Sequence, residues 1–110
     1  MCGIVGFISS DSNLQLEKSL KIMMETLSHR GPDDSGVWTD SSLGVAFGHK
    51  RLSVIDTSEN GHQPMLSSCG RYLTVFNGEI YNHLSLRSKL KEFNWRGNSD
   101  TETLLECISQ

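Results

Sequence analysis

The sequence is poor in proline and has no concentrated run of positive charge, and both absences narrow what its 110 residues can do. With two prolines and 36% hydrophobic residues, the composition is unlike that of a disordered chain and indicates a soluble globular domain. Ten basic residues stand against thirteen acidic residues, for a net charge of -3, and no lysine or arginine block could neutralise a run of phosphates. We therefore expect no nucleic-acid partner.

Paired disulfide or metal-binding motifs are also absent. The chain has three cysteines and four histidines, namely Cys2, Cys69, Cys107, His29, His49, His62 and His83. No two cysteines form a CxxC pair, and no two histidines have the HxH or HxxxH spacing that would place both on one face. The sequence therefore predicts neither a disulfide framework nor a metal site. Cys69 and Cys107 match no motif, and we expect them in the core or in turns.

Long hydrophobic runs are missing as well. The longest apolar stretch lies in the first eight residues, is interrupted by Gly3 and Gly6, and falls short of the roughly 20 residues that a membrane helix needs. Because no basic segment precedes this stretch, it does not resemble a secretory signal peptide. These absences predict a chain that has no membrane attachment and stays in the cytoplasm.

The beginning of the chain has a strand pattern followed by a helix pattern. Residues 2–9 are short, β-branched and aromatic-rich, which predicts a buried strand. Residues 14–28 repeat apolar side chains at helical spacing, which predicts an amphipathic helix that Gly31 and Pro32 stop. The expected core-facing stripe of this helix consists of Leu16, Leu20, Met23 and Leu27.

The middle of the chain is typical of strands. Residues 36–39 and 42–52 predict a hairpin, followed by a short apolar run at 53–56 and an irregular loop at 57–64. One face of the second strand of this hairpin is expected to carry Leu43, Val45 and Phe47. Two further runs flank Cys69 and Gly70 and predict a second hairpin, with strands within 64–68 and 71–77.

Helical patterns return in the last third of the chain. Residues 80–93 have apolar side chains at helical spacing, namely Leu86, Leu90 and Phe93. Ser99 and Glu102 have the S-x-x-E form of a capping box, so a third helix is expected to begin there. Its apolar residues would be Leu104, Leu105 and Ile108.

Cys2 could act as a nucleophile. A cysteine directly after the initiator methionine becomes the first residue once an aminopeptidase removes Met1, which small second residues permit. Such a residue carries both a thiol and a free α-amine. Because α-amines have reference pKa values of about 7.7–8.0, they can serve as general bases near neutral pH. The Met-Cys start alone, however, is better explained by a small buried residue that opens a strand.

Six segments of the sequence change this interpretation of Cys2. They are CGIVGF at 2–7, HRGPDDSG at 29–36, GHKRLSVID at 48–56, GHQPM at 61–65, NGEIYNH at 77–83 and SDTE at 99–102. Together and in this order they closely resemble the glutamine amidotransferase domain of the asparagine synthetase family, in the N-terminal-nucleophile class. HRGPDD and NGEIYN favour the asparagine synthetase-like branch over the glucosamine-phosphate synthase branch, which typically has a tyrosine after the Arg-Gly.

The resemblance implies a catalytic role for three residues. Cys2 would be the nucleophile that attacks the side-chain amide of glutamine. Asn77 and Gly78 would form the oxyanion hole, with a side-chain amide and a backbone N–H directed at the oxygen that becomes negative. An Asn-Gly pair is also typical of a tight turn, and both interpretations are compatible because a turn can hold such donors in place.

The resemblance also implies a set of glutamine-binding residues. Arg51 would bind the α-carboxylate, because a planar guanidinium matches a carboxylate with two parallel hydrogen bonds. Asp100 would meet the α-ammonium group with its carboxylate, Glu79 largely with its backbone, and Val54 would offer its carbonyl. The full implied set is Arg51, Leu52, Ser53, Val54, Ile55, Asn77, Gly78, Glu79 and Asp100. Structural roles are expected for the family loop residues His29, Arg30, Asp33 and Asp34.

The implied fold is α+β, namely the N-terminal part of an Ntn-hydrolase four-layer αββα sandwich. Because the chain ends at Gln110 inside the predicted third helix, we expect a truncated domain at 1–110 that lacks much of its second sheet. The implied reaction converts L-glutamine to glutamate and ammonia without a metal or cofactor. In the family, the ammonia passes to a synthetase domain that uses ATP and Mg²⁺ to amidate aspartate or a similar carboxylate.

Several alternatives remain open at this level. The synthetase domain could belong to the same longer chain or to a partner chain, and association as a homodimer is left open. The chain could be a truncated or degenerate module that binds glutamine without hydrolysing it. It could also be an N-terminal-nucleophile hydrolase that acts on another amide, although Arg51 and Asp100 suit the charged head group of an amino acid.

Overall fold

The computed structural model describes residues 1–53, 57–90 and 92–110. Within these residues the chain combines strands and helices in an α+β arrangement. The elements are β1 Gly3–Ile8, α1 Leu16–Glu25, β2 Asp34–Asp40, β3 Val45–Arg51, β4 Met65–Leu66, β5 Leu73–Thr74, α2 His83–Lys89 and α3 Asp100–Ser109, with a 3-10 turn at Glu59–Gly61. None of these helices is long and apolar enough to cross a bilayer. Most of the predicted apolar run at 53–56 lies outside the described residues.

Strands β1, β2 and β3 form one antiparallel sheet with β3 in the centre. Pairing between β1 and β3 runs from Gly3 opposite Lys50 to Ile8 opposite Val45. The β2–β3 hairpin is confirmed, and its turn requires glycine at Gly44, which has a φ of 65°. This sheet places the end of β3 beside the start of the chain, where Cys2 lies.

Helix α1 packs on this sheet through Leu16, Leu20 and Met24, which are buried against Ala46. The predicted stripe contained Met23 in place of Met24, and this prediction is wrong because Met23 is 38% exposed. Met24 faces the sheet because Gly48 leaves room for it, since a Cβ at Gly48 would lie 2.5 Å from the Met24 sulfur. The absence of a side chain at Gly48 therefore explains why Met24, and not Met23, is buried against the sheet.

The predicted apolar face of the second hairpin strand is also corrected. Leu43 lies in the turn before β3 and is 66% exposed, and the helix packs on the opposite face of the strand, at Ala46. Phe47 instead stacks on Trp38 with the ring centroids 6.3 Å apart. By strand alternation, the face that carries Phe47 continues to His49 and then to the end of β3, so it leads directly to the candidate site.

Two predicted helices are shorter in the structure. The helix expected at 14–28 spans Leu16–Glu25 and is followed by turns at 26–30, in which bonds between residues three apart tighten the chain. The helix expected at 80–93 spans His83–Lys89. Beyond it, Phe93 packs on Trp95 with the ring centroids 4.6 Å apart, so the apolar pattern reflects packing of a turn as well as of a helix.

The second hairpin is confirmed around Cys69 and Gly70, although β4 and β5 have only two residues each. Helix α3 also begins where expected, with the Ser99 hydroxyl accepting from the backbone N–H of Thr101 at 3.1 Å. The predicted apolar set is only partly correct, because Leu105 is buried and Ile108 is exposed. The buried face of α3 is mostly polar and consists of Asp100, Thr101, Glu102, Thr103 and Glu106 in addition to Leu105.

Candidate active site

The thiol of Cys2 lies against the backbone that follows β3. The N–H of Leu52 donates to the Cys2 sulfur at 3.3 Å, and the thiol lies 3.7 Å from the Leu52 carbonyl oxygen. Cys2 itself is half-buried, whereas Met1 is 78% exposed. The sulfur is thus anchored by main chain, and the preceding residue is accessible to an aminopeptidase.

A cavity of about 500 Å³ opens beside this thiol, and its volume lies within the range of small-molecule sites. The predicted site residues that line it are Cys2, Arg51, Leu52, Asn77, Gly78, Glu79 and Asp100. Its lining also includes Met1, Gly61, Gln63, Phe76, Tyr81, Ser99 and Thr101. One cavity therefore collects residues from five separate regions of the sequence, namely 1–2, 51–52, 61–63, 76–81 and 99–101.

One described member of the predicted set, Ser53, lies away from this cavity. Val54 and Ile55 lie outside the described residues. The N–H of Ser53 donates to the Asp33 carboxylate at 2.8 Å, and Ser53 lines a neighbouring hollow with Asp33 and Asp34. The structure therefore brings Ser53 together with the acidic loop and not with the cavity beside Cys2.

Arg51 ends β3 and is buried. Its Nη1 donates to the Ser58 carbonyl oxygen at 2.8 Å. A Cβ at Gly61 would lie 2.0 Å from its Nη2, so the guanidinium needs glycine at this position. The loop at 57–64, which the sequence predicts only as irregular, therefore holds the Arg51 guanidinium at the cavity.

Asn77 and Gly78 follow β5 in an irregular, exposed stretch. Gly78 lies against the ring of Phe76, and a Cβ there would come within 2.8 Å of that ring. Side chains from elsewhere hold the backbone of Phe76: its N–H donates to Gln63 Oε1 at 2.6 Å, and its carbonyl oxygen lies 3.2 Å from His49 Nε2. The position of Asn77 and Gly78 therefore depends on the hydrogen bonds made by the backbone of Phe76, the residue before them.

Asp100 is the first residue of α3 and is buried at the cavity wall. Its Oδ2 accepts from the N–H of Ile80 at 2.8 Å, which joins the start of α3 to the segment that follows Gly78. Glu79 is exposed and lines the same cavity. Two carboxyl groups, those of Glu79 and Asp100, therefore belong to the lining of this cavity.

A network of charged groups holds the start of α3. Glu102 is 0% exposed, and its carboxylate accepts from the backbone N–H groups of Arg96 and Gly97 at 2.8 and 3.1 Å. These partners differ from the one that the capping-box spacing predicts, in which the Glu102 carboxylate would accept from the backbone N–H of Ser99. Arg87 donates to the carbonyl oxygens of Gly97 at 2.6 Å and Ser99 at 2.8 Å, and its guanidinium lies 4.1 Å from the centroid of the Trp95 ring.

A model of the glutamine amidotransferase domain family matches residues 1–110. The chain belongs to this family. It is 44% identical over 110 residues to Asparagine synthetase [glutamine-hydrolyzing] 3 of Bacillus subtilis (strain 168), and 43% identical over 110 residues to Asparagine synthetase [glutamine-hydrolyzing] 1 of the same organism. It is also 35% identical over 116 residues to Amidase chry2 of Gibberella zeae. Each comparison covers 96% of the chain and 17% of the relative, so the chain spans about a sixth of their length.

Some residues of this glutamine amidotransferase domain were not predicted to belong to the site. Gln63 and His49 lie within recognised motifs, GHQPM and GHKRLSVID, but spacing alone assigned them no contact. Arg87, which supports the start of α3, lies in no motif. The partners of all three are distant in sequence, so no local pattern could have indicated them. For the first two, the motif itself was the available signal.

His49 is buried beneath the Asn77 segment of the amidotransferase domain. Desolvation lowers its pKa, while the hydrogen bond to the Phe76 carbonyl acts in the opposite direction. Because a carbonyl oxygen only accepts, Nε2 carries the ring proton and His49 is a neutral donor at neutral pH. A neutral ring supports the segment without placing a second charge beside Arg51.

Four further titratable residues lie outside the lining of the cavity beside Cys2, namely Asp33, Asp34, His62 and Cys69. His62 Nδ1 pairs with the Asp34 carboxylate at 2.7 Å, and Asp33 accepts from Ser53, so both acidic residues organise their own loop. Cys69 lies in the β4–β5 turn, where a hydrogen bond with Ser67 lowers the pKa of its thiol. Among the described residues, no group of three or more histidine, cysteine or acidic side chains is placed to hold a metal ion.

Proposed function

We propose that the chain is the glutamine-hydrolysing part of an asparagine synthetase-type amidotransferase, with Cys2 as its nucleophile after removal of Met1. One observation supports this most strongly: the half-buried thiol shares a single cavity with a buried guanidinium, a buried carboxylate and the Asn77-Gly78 pair. Glutamine carries complementary groups for each of these. Its carboxylate suits the cation, its ammonium group suits the carboxylate, and its amide would meet the thiol.

Arg51 binds the α-carboxylate of glutamine in this proposal, and Asp100 binds its α-ammonium group. Arginine suits the first task because its planar donors can bond both carboxylate oxygens. The backbone of Glu79 adds an acceptor for the ammonium group, and Leu52 lines the cavity beside the sulfur. Contributions from the backbones of Ser53, Val54 and Ile55, including the carbonyl of Val54, rest on the family resemblance.

In the first half of the reaction, the α-amine of Cys2 takes the thiol proton while sulfur attacks the side-chain carbonyl carbon of glutamine. The carbonyl electrons move to the oxygen, which the Asn77 amide and the Gly78 N–H stabilise. When this intermediate collapses, the C–N bond breaks and the protonated amine returns its proton to the leaving nitrogen. Ammonia departs and a γ-glutamyl thioester remains on Cys2.

In the second half, water attacks the carbonyl carbon of the thioester and gives a proton to the α-amine. The same oxyanion donors stabilise the second tetrahedral intermediate. The C–S bond then breaks, the proton returns to sulfur, and glutamate is released. Neither half needs a cofactor, since every proton transfer uses groups of Cys2 itself.

We further propose that residues 1–110 are the N-terminal part of an Ntn-hydrolase four-layer sandwich. The layer of α1 on the β1–β3–β2 sheet supports this, because Phe47 and Trp38 remain on a second, half-buried face that another sheet could cover. The ammonia would pass to a synthetase domain that amidates aspartate or a similar carboxylate with ATP and Mg²⁺. The greater length of the relatives leaves room for that domain in the same chain.

The proposal is tested by incubating the purified chain with L-glutamine and measuring release of ammonia and glutamate. Intact-mass spectrometry first establishes that Met1 has been removed. We expect release by the parent chain, none by Cys2→Ala, and undiminished release by Cys69→Ala, which changes an exposed thiol outside the cavity. A folded chain with a free Cys2 amine that binds glutamine without releasing ammonia would favour the binding-module alternative. Hydrolysis of other amides but not of glutamine would favour the other hydrolase alternative.

A further inference from the structure

The backbone of Phe76 is held by two buried side chains that belong to other parts of the fold. Its N–H donates to Gln63 Oε1 at 2.6 Å, and His49 Nε2 donates to its carbonyl oxygen at 3.2 Å. Gln63 is 6% exposed and His49 is 1% exposed, so water competes little for either bond. We call this pair of side chains the Phe76 clamp.

The clamp replaces strand pairing at this point of the chain. β5 pairs with β4 only at Leu73 and Thr74, and the chain after Thr74 is irregular through residue 80. A segment without ladder hydrogen bonds gains its position from side chains, and Phe76 is the residue directly before Asn77. The two bonds therefore fix the peptide units on both sides of Phe76, and the Asn77 side chain and the Gly78 N–H follow directly after them.

The same glutamine side chain reaches a second wall of the cavity. Gln63 Nε2 donates to Thr101 Oγ1 at 3.2 Å, in the first turn of α3 and adjacent to Asp100. One planar amide thus joins the segment of Asn77 and Gly78 to the helix that presents Asp100. The amide oxygen of Gln63 bonds to the segment that contains Phe76, and the amide nitrogen bonds to α3. This one side chain therefore sets the distance between the two walls.

We propose that the Phe76 clamp consists of two positioning residues for glutamine hydrolysis, which hold the oxyanion donors at the place where charge develops. This inference rests on the function proposed above. Donors in such sites must lie within a few tenths of an ångström of their working position, and a displacement of about 1 Å costs about 10²-fold in rate. The clamp acts on the tetrahedral intermediate more than on bound glutamine, because the oxygen becomes strongly negative only in the intermediate.

The test compares leucine and glutamine substitutions within the clamp. Gln63→Leu removes both amide bonds, and His49→Leu removes the donor to the Phe76 carbonyl. His49→Gln retains a donor nitrogen at nearly the position of Nε2. Matched controls are Gln15→Leu and Asn94→Leu, which place leucine at exposed amide residues outside the cavity. All variants are made in the full chain with Met1 removed.

Two measurements separate positioning from general support of the fold. For glutamine hydrolysis, we expect both clamp leucine variants to lose about 10²-fold in kcat with KM changed less than about threefold, and the controls to match the parent. For binding, the γ-aldehyde analogue of glutamine forms a tetrahedral adduct with a thiol, whereas L-glutamate does not. The clamp variants should lose affinity for the aldehyde by about the factor lost in kcat, and keep their affinity for glutamate. His49→Gln should recover most of the activity lost in His49→Leu.

Several results would overturn the inference. An unchanged kcat in folded Gln63→Leu would do so, as would equal losses of aldehyde and glutamate binding or a His49→Gln variant as impaired as His49→Leu. If the leucine variants do not fold, Thr101→Val removes only the outer partner of the Gln63 amide and should lower kcat severalfold; an unaltered kcat would again contradict the clamp. A parent chain that neither hydrolyses glutamine nor binds the aldehyde would instead overturn the proposed function, and the inference with it.

Discussion

Arg51 occupies a space that its neighbours define closely. Ser58 accepts a hydrogen bond from one end of the guanidinium, and Gly61 lies directly against the other end. Single residues of this kind, to which no contact with glutamine is assigned, determine where a charged group can lie. Gly78 also leaves space for a neighbour, because its missing side chain accommodates the ring of Phe76.

Gly61→Ala should raise KM for glutamine by about tenfold and change kcat less, because the added Cβ would lie 2.0 Å from Arg51 Nη2 and must displace the guanidinium. Arg51→Lys should act in the same direction by removing the planar fork. Steady-state kinetics provide the measurement. Gly70→Ala is the control, since nothing lies within 4 Å of that position and only its positive φ opposes a side chain. A raised KM in the control would contradict the explanation.

Asn77→Ala should lower kcat by about 10²–10³-fold with little change in KM, because its amide is proposed to meet charge that forms only during the reaction. Stopped assays of glutamate release at saturating glutamine give the measurement. Asn94→Ala provides a comparison at an exposed asparagine outside the cavity. If Asn77→Ala mainly raised KM, the side chain would be a substrate-binding group and not an oxyanion donor.

At the scale of elements, α3 is the clearest case of a helix stabilised by charge and hydrogen bonding. Its buried face is largely polar, and its start depends on the buried Glu102 and on Arg87 from α2. Ion pairs of this kind cost much when one partner is removed, because the other remains buried without compensation. The helix that carries Asp100 should therefore be sensitive to substitutions at a distance from the cavity.

Arg87→Lys should lower the free energy of unfolding by about 3 kcal/mol, because lysine cannot reproduce three separate donors or the stacking on Trp95. Urea denaturation measures the change. Lys21→Met removes an exposed ion pair with Glu17 and should change stability by less than about 0.5 kcal/mol. Equal effects of the two substitutions would show that the Arg87 network contributes no more than a surface pair.

The type of each helix and strand was predictable from the sequence, but for several of them the buried face and the last residue were not. The strand patterns, the cap at Ser99 and the turn at Gly70 are local signals, and the structure confirms the elements that they indicate. The choice of Met24 over Met23 depended on a gap in a distant strand. Likewise, the buried Glu102 carboxylate accepts from two backbone N–H groups that precede Ser99, and its burial, not its spacing from Ser99, determines these partners.

At the scale of the whole molecule, the sequence motifs predicted which residues line the cavity better than they predicted the contacts that hold those residues in place. Cys2, Arg51, Asn77, Gly78 and Asp100 were all expected to share a site, and the structure places them around one cavity. That expectation came from resemblance, because no local pattern relates residues so far apart. The residues that set their positions, such as Gln63, could be assigned contacts only in the folded chain.

The burial of His49 predicts a pH dependence of global stability. Its pKa is lowered in the folded chain, so below about pH 6.5 the unfolded chain binds more protons at this residue than the folded chain does. Its contribution to stability is complete above that pH and is lost as the pH falls towards the folded value. Urea denaturation from pH 8 to pH 5 should therefore show a steeper decline for the parent than for His49→Gln. Parallel curves would contradict the prediction.

Residues from both ends of the sequence meet in the cavity, and this has a consequence for synthesis. Cys2 leaves the ribosome among the first residues, whereas Asp100 follows almost a hundred residues later. At typical elongation rates, about 5 to 20 seconds separate the two. During that interval the amino terminus lacks the wall that Asp100 provides, so an aminopeptidase has access to Met1. In the proposed function, Cys2 therefore becomes the first residue before glutamine can be held, and the cavity lacks one wall until α3 has been made.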